Sequence, residues 1–199
     1  MIYVDENPEH RPVLTTALRP VFFPLDEPTK KLIHEMKETL LEIGGVGLAA
    51  PQIGADLQII AIHISKEAAS LREHAQPIPM TVLINPRYQQ MENSVLFEDW
   101  EGCFSVSDMM GKVPRYFNVR YQAQDETGAS IDTLAEGFFA RVLQHEIDHV
   151  HGILIRDRLD DTCVKGSKEE MMPLRRASLS QEKRALFDQF WTQWNPSKK

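Results

Sequence analysis

Residues 143–154 read LQHEIDHVHGIL and contain three histidines within seven positions. Successive residues of an α-helix are about 100° apart, so His145 and His149 lie within about 40° of each other, one turn apart. Both imidazoles can therefore reach one metal ion, and Glu146 beside them is placed to act on a water molecule rather than to bind the ion. His151 is about 240° round the helix from His145, so we interpret it as a surface or structural histidine.

Two histidines need a third ligand, and its identity separates the classes of metalloenzyme. Metzincin proteases continue the pattern to a third histidine, but that position is Ile155 here. A gluzincin protease would use a downstream glutamate, and the candidates Glu169 and Glu170 lie in a polar segment interrupted by a proline. Such a segment is a poor platform for a ligand that must be held in a fixed position.

Cys103, in the stretch WEGCFSV, is the better candidate for the third ligand. As a thiolate it completes a Cys-His-His set and leaves the fourth tetrahedral position for water. Zn, Fe(II), Ni and Co all accept such a set, so the residues alone do not select the metal. Two alternatives stay open: Cys103 as a small buried hydrophobic residue, and histidines that are merely packed or capped on an amphipathic helix.

The segment GGVGLAAPQIG, residues 44–54, is rich in glycine but lacks the sequence features of a phosphate-binding loop. Gly45, Gly47 and the pair Ala49-Ala50 allow another backbone to approach closely. Gln52 offers an amide donor, which is a known device for stabilising an oxyanion. The alternative is a tight exit from a helix followed by a surface glutamine.

The composition excludes several classes of protein. The chain has 199 residues, of which 42% are hydrophobic and 26% charged, as in an ordinary globular protein. A net charge of -7 argues against a specific nucleic-acid partner, and no apolar run is long enough to predict a membrane span. The N-terminus resembles neither a signal nor a transit peptide, so we expect a bacterial cytoplasmic protein, or an organellar one if a transit segment has been removed. Cys103 and Cys163 are expected to be reduced thiols or metal ligands rather than a disulfide.

The order of predicted elements indicates an α+β fold. Helical spacing of apolar residues predicts a helix that starts near Asp26 and Pro28 and ends at Gly44-Gly45. β-Branched residues predict strands at 57–64 and 80–89. The final features are a hairpin over 119–137 with its turn at Glu-Thr-Gly, and a buried helix over 138–150.

The chain changes character after about residue 160. Residues 161–178 are polar and contain a proline, which predicts a loop or mobile linker. A helix follows, for which Ser178 and Gln181 have the spacing of a capping box. We expect its aromatic stripe to pack back on the protein, the alternative being a partner-docking helix; the stripe comprises Leu186, Phe187, Phe190, Trp191 and Trp194.

Three segments, GVGLAAPQ, EGCFS and QHEIDHVHG, occur in this order and resemble the three signature motifs of the peptide deformylases. The resemblance covers roughly residues 10 to 160. It implies an α+β metalloenzyme in which antiparallel or mixed sheets pack around a central metal-binding helix, with further helices at both ends. Residues 1–160 would be the catalytic domain, and residues 161–199 a tail that belongs to the same domain or is loosely docked.

The resemblance also implies an activity, which is hydrolysis of the N-formyl group from the formyl-methionine of new polypeptides, with release of formate. The substrate would be the nascent polypeptide, and association with the ribosome is left open. The native metal would be Fe(II), with Zn, Ni or Co able to replace it. Cys103, His145 and His149 would bind this ion, and Glu146 would be the general acid and base.

The remaining site residues concern the substrate. By resemblance, the Gln52 amide and the backbone N–H of Phe104 would form the oxyanion hole. The residues expected to bind the substrate chain and its methionine side chain are Val46, Gly47, Gly102, Phe138 and Val142. Phe138 and Val142 precede His145 by seven and three positions and so share its helix face.

Two departures from the family pattern are visible. Phe104 stands where leucine is commoner, but the role there belongs to a backbone N–H, so only the pocket mouth is expected to change. Val150-His151 replaces a more usual Leu-x pair. The competing interpretations are a zinc endopeptidase and a non-catalytic metal-binding or peptide-binding module, and release of formate distinguishes a deformylase from the protease.

Overall fold

The computed structural model describes the backbone of residues 1–194 and the side chains of residues 1–189. The chain begins with α1 (Arg11–Leu14) and α2 (Glu27–Ile43). The predicted ends of α2 are confirmed. The Asp26 carboxylate accepts a hydrogen bond from the Thr29 N–H at 2.9 Å, and Gly44 closes the helix in the left-handed region at φ 63°.

Two antiparallel sheets form the centre of the molecule. In chain order the elements after α2 are β1 (Gly47–Ala49), a 3-10 turn (Ala50–Ile53), β2 (Ile59–Ile64), α3 (Lys66–Ser70), β3 (Ile78–Gln90), β4 (Leu96–Cys103), β5 (Val106–Tyr116), β6 (Asn118–Gln124), β7 (Ser130–Glu136), α4 (Gly137–Val150), α5 (Ile155–Arg158), β8 (Lys165–Gly166), α6 (Lys168–Ser178) and α7 (Gln181–Trp194). One sheet has five strands in the order β1-β2-β3-β6-β7, and the other has three in the order β4-β5-β8. The α+β prediction, with its strands and its hairpin, is confirmed.

Both faces of the five-stranded sheet are covered, because successive side chains of a strand point to opposite faces. In β2, Ile60 and Ile62 pack in the cluster that contains α4, while Ile59 and Ala61 pack in the cluster that contains α2. The side chains on both faces of β2 are therefore apolar over residues 59–62. This packing also fixes α4 against one face of the sheet.

The α4 helix lies between the two sheets, so it is buried nearly all round. Its apolar residues, including Leu143 and Ile147, pack on the five-stranded sheet. Its polar residues bond to β4 and β5: Gln144, for example, exchanges hydrogen bonds with the backbone of Tyr116 at 3.0 and 2.8 Å. Buried polar groups are normally paired, and Arg141, Gln144 and His145 of α4 find their partners on β4 and β5.

The prediction of a loop over residues 161–178 is wrong for its second half, where α6 forms. Ser167 and Glu170 form a capping box, in which the Ser167 hydroxyl accepts from the Glu170 N–H and the Glu170 carboxylate accepts from the Ser167 N–H. Met171 on this helix is buried against Trp100. The cap and the apolar contact outweigh the helix-breaking tendency of Pro173, which lies inside the helix.

The predicted cap of the last helix is also wrong, since Ser178 belongs to α6 and α7 begins at Gln181. Ser180 takes the capping role, accepting from the Lys183 N–H at 3.3 Å. Of the predicted aromatic stripe, Phe187 is buried, whereas Phe190, Trp191 and Trp194 lie outside the described side chains. Within residues 1–194 no helix is long and apolar enough to cross a membrane.

Candidate active site

Three candidate ligands meet where β4 ends against α4. The ligand atoms of Cys103, His145 and His149 all lie within 4.8 Å of one another, and the Cys103 Sγ is 3.3 Å from the His149 Nε2. His151 is not part of this cluster. It is exposed at the end of α4, with its Nδ1 2.9 Å from the backbone oxygen of Ile147.

An irregularity in the sheet lies at the cysteine. The register between β4 and β5 shifts between Gly102 and Cys103: Gly102 pairs with Met110, but Cys103 pairs with Val106. Such shifts re-aim a side chain and are frequent beside active sites. Here the strand breaks its regular pairing at the residue whose side chain meets the histidines of α4.

The electrostatics of the cluster suit a metal ion. Burial alone would raise the pKa of the Cys103 thiol, but the charges of His149 and His145 and their hydrogen bonds hold it well below its ordinary value. A thiolate and two imidazoles are the donor set of a catalytic tetrahedral site with one open position. The Nε2 of His149 faces the Cys103 Sγ, so the thiolate and one ring nitrogen of each histidine converge on one place. The residues therefore fit a bound divalent metal ion.

His145 is oriented by a carboxylate that sequence reasoning missed. The Nδ1 of His145 lies 2.9 Å from a Glu101 carboxylate oxygen, which leaves Nε2 for a metal. Glu101 is also held by Arg115 through two hydrogen bonds and by Arg141 through one at 2.7 Å. Burial disfavours the Glu101 carboxylate, but Arg115 and His145 outweigh burial and keep its pKa well below the usual range.

Arg115 continues this network to the outer side of α4. Its guanidinium also contacts Asp148, the residue just before His149, and Arg158 donates to the same carboxylate at 3.0 Å through its Nε. The sequence does contain a signal for Asp148, which is a charged residue within a helix predicted to be buried. It contains no such signal for Arg115, because the partners of Arg115 are 14 and 33 residues away along the chain.

Glu146 is buried beside the ligands, and its Oε2 has no hydrogen-bond partner among the described residues. Burial raises the pKa of Glu146 to about 7, against the opposing charges of His145 and His149. A Cβ at position 47 would lie 2.2 Å from the Glu146 Oε1, so only glycine lets β1 pass this close to the carboxylate. The Gly47 backbone and the Glu146 side chain are thus packed against each other.

Gln52 is buried, which rules out the alternative of a surface glutamine. Its Oε1 accepts from the Ala49 N–H at 2.8 Å, and this contact turns the amide nitrogen toward the cluster. The Nε2 lies 3.7 Å from the Cys103 Sγ and 3.3 Å from the Ser105 Oγ. The amide is therefore fixed at both ends, with its donor beside the candidate ligands.

A cavity of about 80 Å³ opens in front of these groups. All the predicted site residues line it except His149, which is buried at the cluster itself. The predicted lining residues are Val46, Gly47, Gln52, Gly102, Cys103, Phe104, Phe138, Val142, His145 and Glu146. Four further residues line the cavity and were not anticipated: Arg72, Trp100, Glu101 and Arg141.

Comparison with known proteins places this geometry in a family. A family model of polypeptide deformylase matches residues 4–165. The chain is 44% identical over 146 residues to peptide deformylase 1 of Nitrosomonas europaea, which covers 71% of this chain and 79% of that protein. It is 43% identical over 142 residues to peptide deformylase 2 of Ralstonia nicotianae, covering 71% of this chain and 78% of that protein.

Solved structures agree with the sequence comparisons. A Met-Ala-Ser-bound crystal structure of a class I type b peptide deformylase from Acinetobacter baumannii superposes with a TM-score of 0.68 at 29% identity. The match covers 80% of this chain and 97% of that chain. The chain belongs to the peptide deformylase family, metal-dependent hydrolases that remove the N-formyl group from nascent polypeptides.

Proposed function

We propose that this chain deformylates peptides with Cys103, His145 and His149 as the metal ligands and Glu146 as the proton carrier. One observation carries the assignment. The buried Glu146 carboxylate, which has an oxygen without a partner among the described residues, shares a cavity with two of the three metal-ligating side chains. A bound divalent ion would polarise the formyl carbonyl and acidify a water molecule at this place.

Glu146 is suited to take and return a proton. A pKa near 7 lets the carboxylate accept the proton of the attacking water at neutral pH and then release it to the departing nitrogen. The water oxygen adds to the formyl carbon and the C–N bond breaks. Formate and the free α-amine of methionine are the products.

The developing negative charge on the formyl oxygen needs donors nearby. The Gln52 Nε2 is the side-chain donor beside the cluster, and the backbone N–H of Phe104, the residue after Cys103, is the second in this proposal. Both belong to segments that line the cavity. Because the Gln52 carbonyl is held by the Ala49 N–H, little reorganisation is needed during the reaction.

The substrate is proposed to lie extended between β1 and β4, with backbone bonds to Val46 and Gly102. The methionine side chain would enter the part of the cavity lined by Val46, Gly47, Phe138 and Val142. All these residues precede position 160. We therefore assign the catalytic machinery to residues 1–160 and treat residues 161–199 as an addition whose described part packs on it.

Formate release tests the proposal directly. Purified enzyme is incubated with formyl-Met-Ala-Ser, and in parallel with a longer peptide that has a free N-terminus, while the metal content of the same sample is determined by elemental analysis. The expected result is formate from the first peptide, no internal cleavage of the second, and about one metal ion per chain. Internal cleavage without formate would indicate the competing zinc endopeptidase.

Gln52→Leu is expected to lower kcat about 10²–10³-fold, because the substitution removes one donor to the oxyanion. Initial rates of formate release at saturating formyl-Met-Ala-Ser measure the effect. Gln122→Leu is the matched control, since Gln122 of β6 bonds to Arg87 of β3 and Asp132 of β7 and does not line the cavity. A Gln52→Leu enzyme that turned over like the Gln122→Leu enzyme would remove Gln52 from the mechanism.

We propose Fe(II) as the native metal. The set of one thiolate and two imidazoles accepts Zn, Ni and Co as well, so the choice of iron rests on the family resemblance. A thiolate-bound Fe(II) that oxygen reaches through the cavity is oxidised, so the iron-loaded enzyme should lose activity within hours in air while the nickel-loaded enzyme keeps it. Parallel activity measurements under air and under nitrogen make the comparison. Iron-loaded enzyme that stayed active for days in air would contradict this assignment.

We further propose that the enzyme works in the cytoplasm on chains emerging from the ribosome. This location follows from its substrate, the nascent polypeptide. Co-sedimentation with translating ribosomes is expected at low ionic strength. Sedimentation no different from that of an unrelated acidic protein would leave free nascent chains as the substrate and overturn ribosome association.

A further inference from the structure

Arg72 lines the active-site cavity, although it lies outside the three signature motifs. It follows α3, and its guanidinium carbon lies 4.8 Å from the centroid of the Phe138 ring. Phe138 is one of the walls proposed for the methionine side chain. A permanent cation is therefore stacked on the ring that would contact the substrate's first side chain.

Most of the hydrogen-bonding capacity of Arg72 is unused. Its Nη1 donates to the backbone oxygen of Trp100 at 2.8 Å, and the nearest carboxylate, that of Asp99, is 3.7 Å away. A guanidinium has five N–H donors. The Nε and Nη2 have no bond to a described residue, and the Arg72 side chain is 18% exposed where it lines the cavity.

The second arginine of the cavity, Arg141, is different in this respect. It donates to Glu101, to the backbone oxygen of Val113 at 2.7 Å and to the backbone oxygen of Phe97. Its charge is directly compensated by Glu101. Arg72, not Arg141, is therefore the cavity arginine with donors available to a ligand.

The surroundings of Arg72 carry a surplus of positive charge. Arg175 of α6 is close enough that, in addition to burial, the charge of Arg72 contributes to lowering the pKa of Arg175 to about 9. Asp99 offsets both of these arginines, and Glu101, which is already bonded to Arg115 and Arg141, also offsets Arg72. A hydrogen-bond acceptor on the substrate would therefore meet a guanidinium whose charge is only partly compensated.

The C-terminal tail holds the main chain at Arg72. Lys183 of α7 donates to the backbone oxygen of Arg72 at 2.9 Å and pairs with the neighbouring Glu73 at 2.6 Å. Trp100, whose backbone Arg72 contacts, is bonded through its indole N–H to Ser178 of α6 at 3.2 Å. A donor fixed by such contacts discriminates between ligands better than one on a free loop.

We propose that Arg72 is a specificity-determining residue that recognises a hydrogen-bond acceptor at the tip of the substrate's first side chain. The pocket would then take N-formyl-methionine sulfoxide peptides as well as N-formyl-methionine peptides. This inference rests on the proposed function, which places the first side chain against Val46, Phe138 and Val142. A thioether accepts hydrogen bonds weakly, whereas a sulfoxide oxygen is strongly polar. An entirely apolar pocket would reject the sulfoxide, because the sulfoxide oxygen would lose its hydration there. A hydrogen bond from the Arg72 guanidinium would compensate for that loss.

Three peptides of the form formyl-X-Ala-Ser test the proposal, with methionine, methionine sulfoxide or norleucine as X. Norleucine has the length of methionine and no acceptor. The quantity measured is the ratio of kcat/KM for formate release from the sulfoxide peptide to that from the norleucine peptide. Arg72→Met is expected to lower this ratio about 10-fold or more, the usual effect of losing a hydrogen bond to a charged group.

Two further variants separate recognition from general damage. Arg72→Lys keeps a cation but loses the forked donor, so a smaller fall in the same ratio is expected. Arg120→Met removes an arginine that pairs with Asp132 on the exposed hairpin, and it should leave the ratio unchanged. If Arg72→Met does not fold, as judged by circular dichroism, the Arg72→Lys result decides.

Equal ratios in the wild-type, Arg72→Met and Arg72→Lys enzymes would overturn the role of Arg72. Absence of formate from the methionine peptide in the wild-type enzyme would instead overturn the proposed function. The two failures are therefore distinguishable within one set of measurements.

Discussion

Replacing Glu146 by glutamine is expected to lower kcat for formyl-Met-Ala-Ser by about 10²–10⁴-fold while the metal content stays that of the wild-type enzyme. The amide has the shape of the carboxylic acid but cannot accept and return a proton. The side chain lies beside the candidate ligands rather than among them. Binding of the metal should therefore survive the change, and proton transfer should not.

Formate release and elemental analysis on one sample measure the two effects. Glu35→Gln is the control, because Glu35 lies on the surface of α2 and pairs with Lys31 at 3.5 Å. Near-normal turnover in the Glu146→Gln enzyme would show that another group carries the proton. Loss of metal together with activity would mean that Glu146 belongs to the ligand set.

Thermal unfolding of the metal-free variant checks that the fold is intact. The pKa of Glu146 in the folded protein, about 7, is raised above its ordinary value, so the folded state binds the proton more tightly than the unfolded state does. In the wild type, the protonated Glu146 side chain therefore contributes to the free energy of unfolding at a pH below its pKa in the unfolded state. This contribution is lost as the pH rises through its pKa in the folded state. Glutamine does not ionise, so the variant does not lose this stability. The melting temperature of the variant minus that of the wild type should therefore increase as the pH rises from 5 to 8.

The parts of the fold and site that local spacing determines could be predicted. The four-residue separation of His145 and His149 places both on one helix face whatever surrounds the helix. Asp26 and Gly44 bound α2 through contacts within a few residues of each end. Cys103, 42 positions before His145, was a candidate by elimination, because the third-histidine position is Ile155 and the downstream glutamates lie on a poor platform. Only the resemblance of three motifs assigned it as a ligand, because no local rule connects a strand end to a distant helix.

The parts that depend on tertiary packing could not be predicted. The ion pairs of Glu101 with Arg115 and Arg141 require the register of β4 against β5 and the choice of which face of α4 meets them. Arg72 reaches the cavity only because α3 lies beside Phe138. The helix α6 was missed for a different reason: the polar composition and Pro173 indicated a loop, whereas the spacing of Ser167 and Glu170 is that of a capping box.

Replacing Cys103 by alanine is expected to reduce the metal content of the purified enzyme to below about one-tenth of the wild-type value and to abolish deformylation. Three donor atoms within 4.8 Å form the proposed set, and alanine removes its one thiolate. The two histidines that remain are a much weaker site, since metal affinity depends on the deprotonated thiolate. The effect should therefore be larger than that of removing a group that merely orients a ligand, which costs about 10–100-fold in affinity.

Cys163→Ala is the matched control, because the Cys163 thiol lies apart from the cluster and contacts Asp160 at 3.6 Å. This variant should keep full metal content and activity, so that loss in Cys103→Ala cannot be ascribed to the removal of any thiol. Glu101→Gln provides an intermediate case, since it weakens the orientation of His145 but leaves all three donors in place. We expect metal content in the order wild type, Glu101→Gln, Cys103→Ala. A Cys103→Ala enzyme that retained stoichiometric metal would show that the ion is bound by other residues, and the ligand assignment would then be wrong.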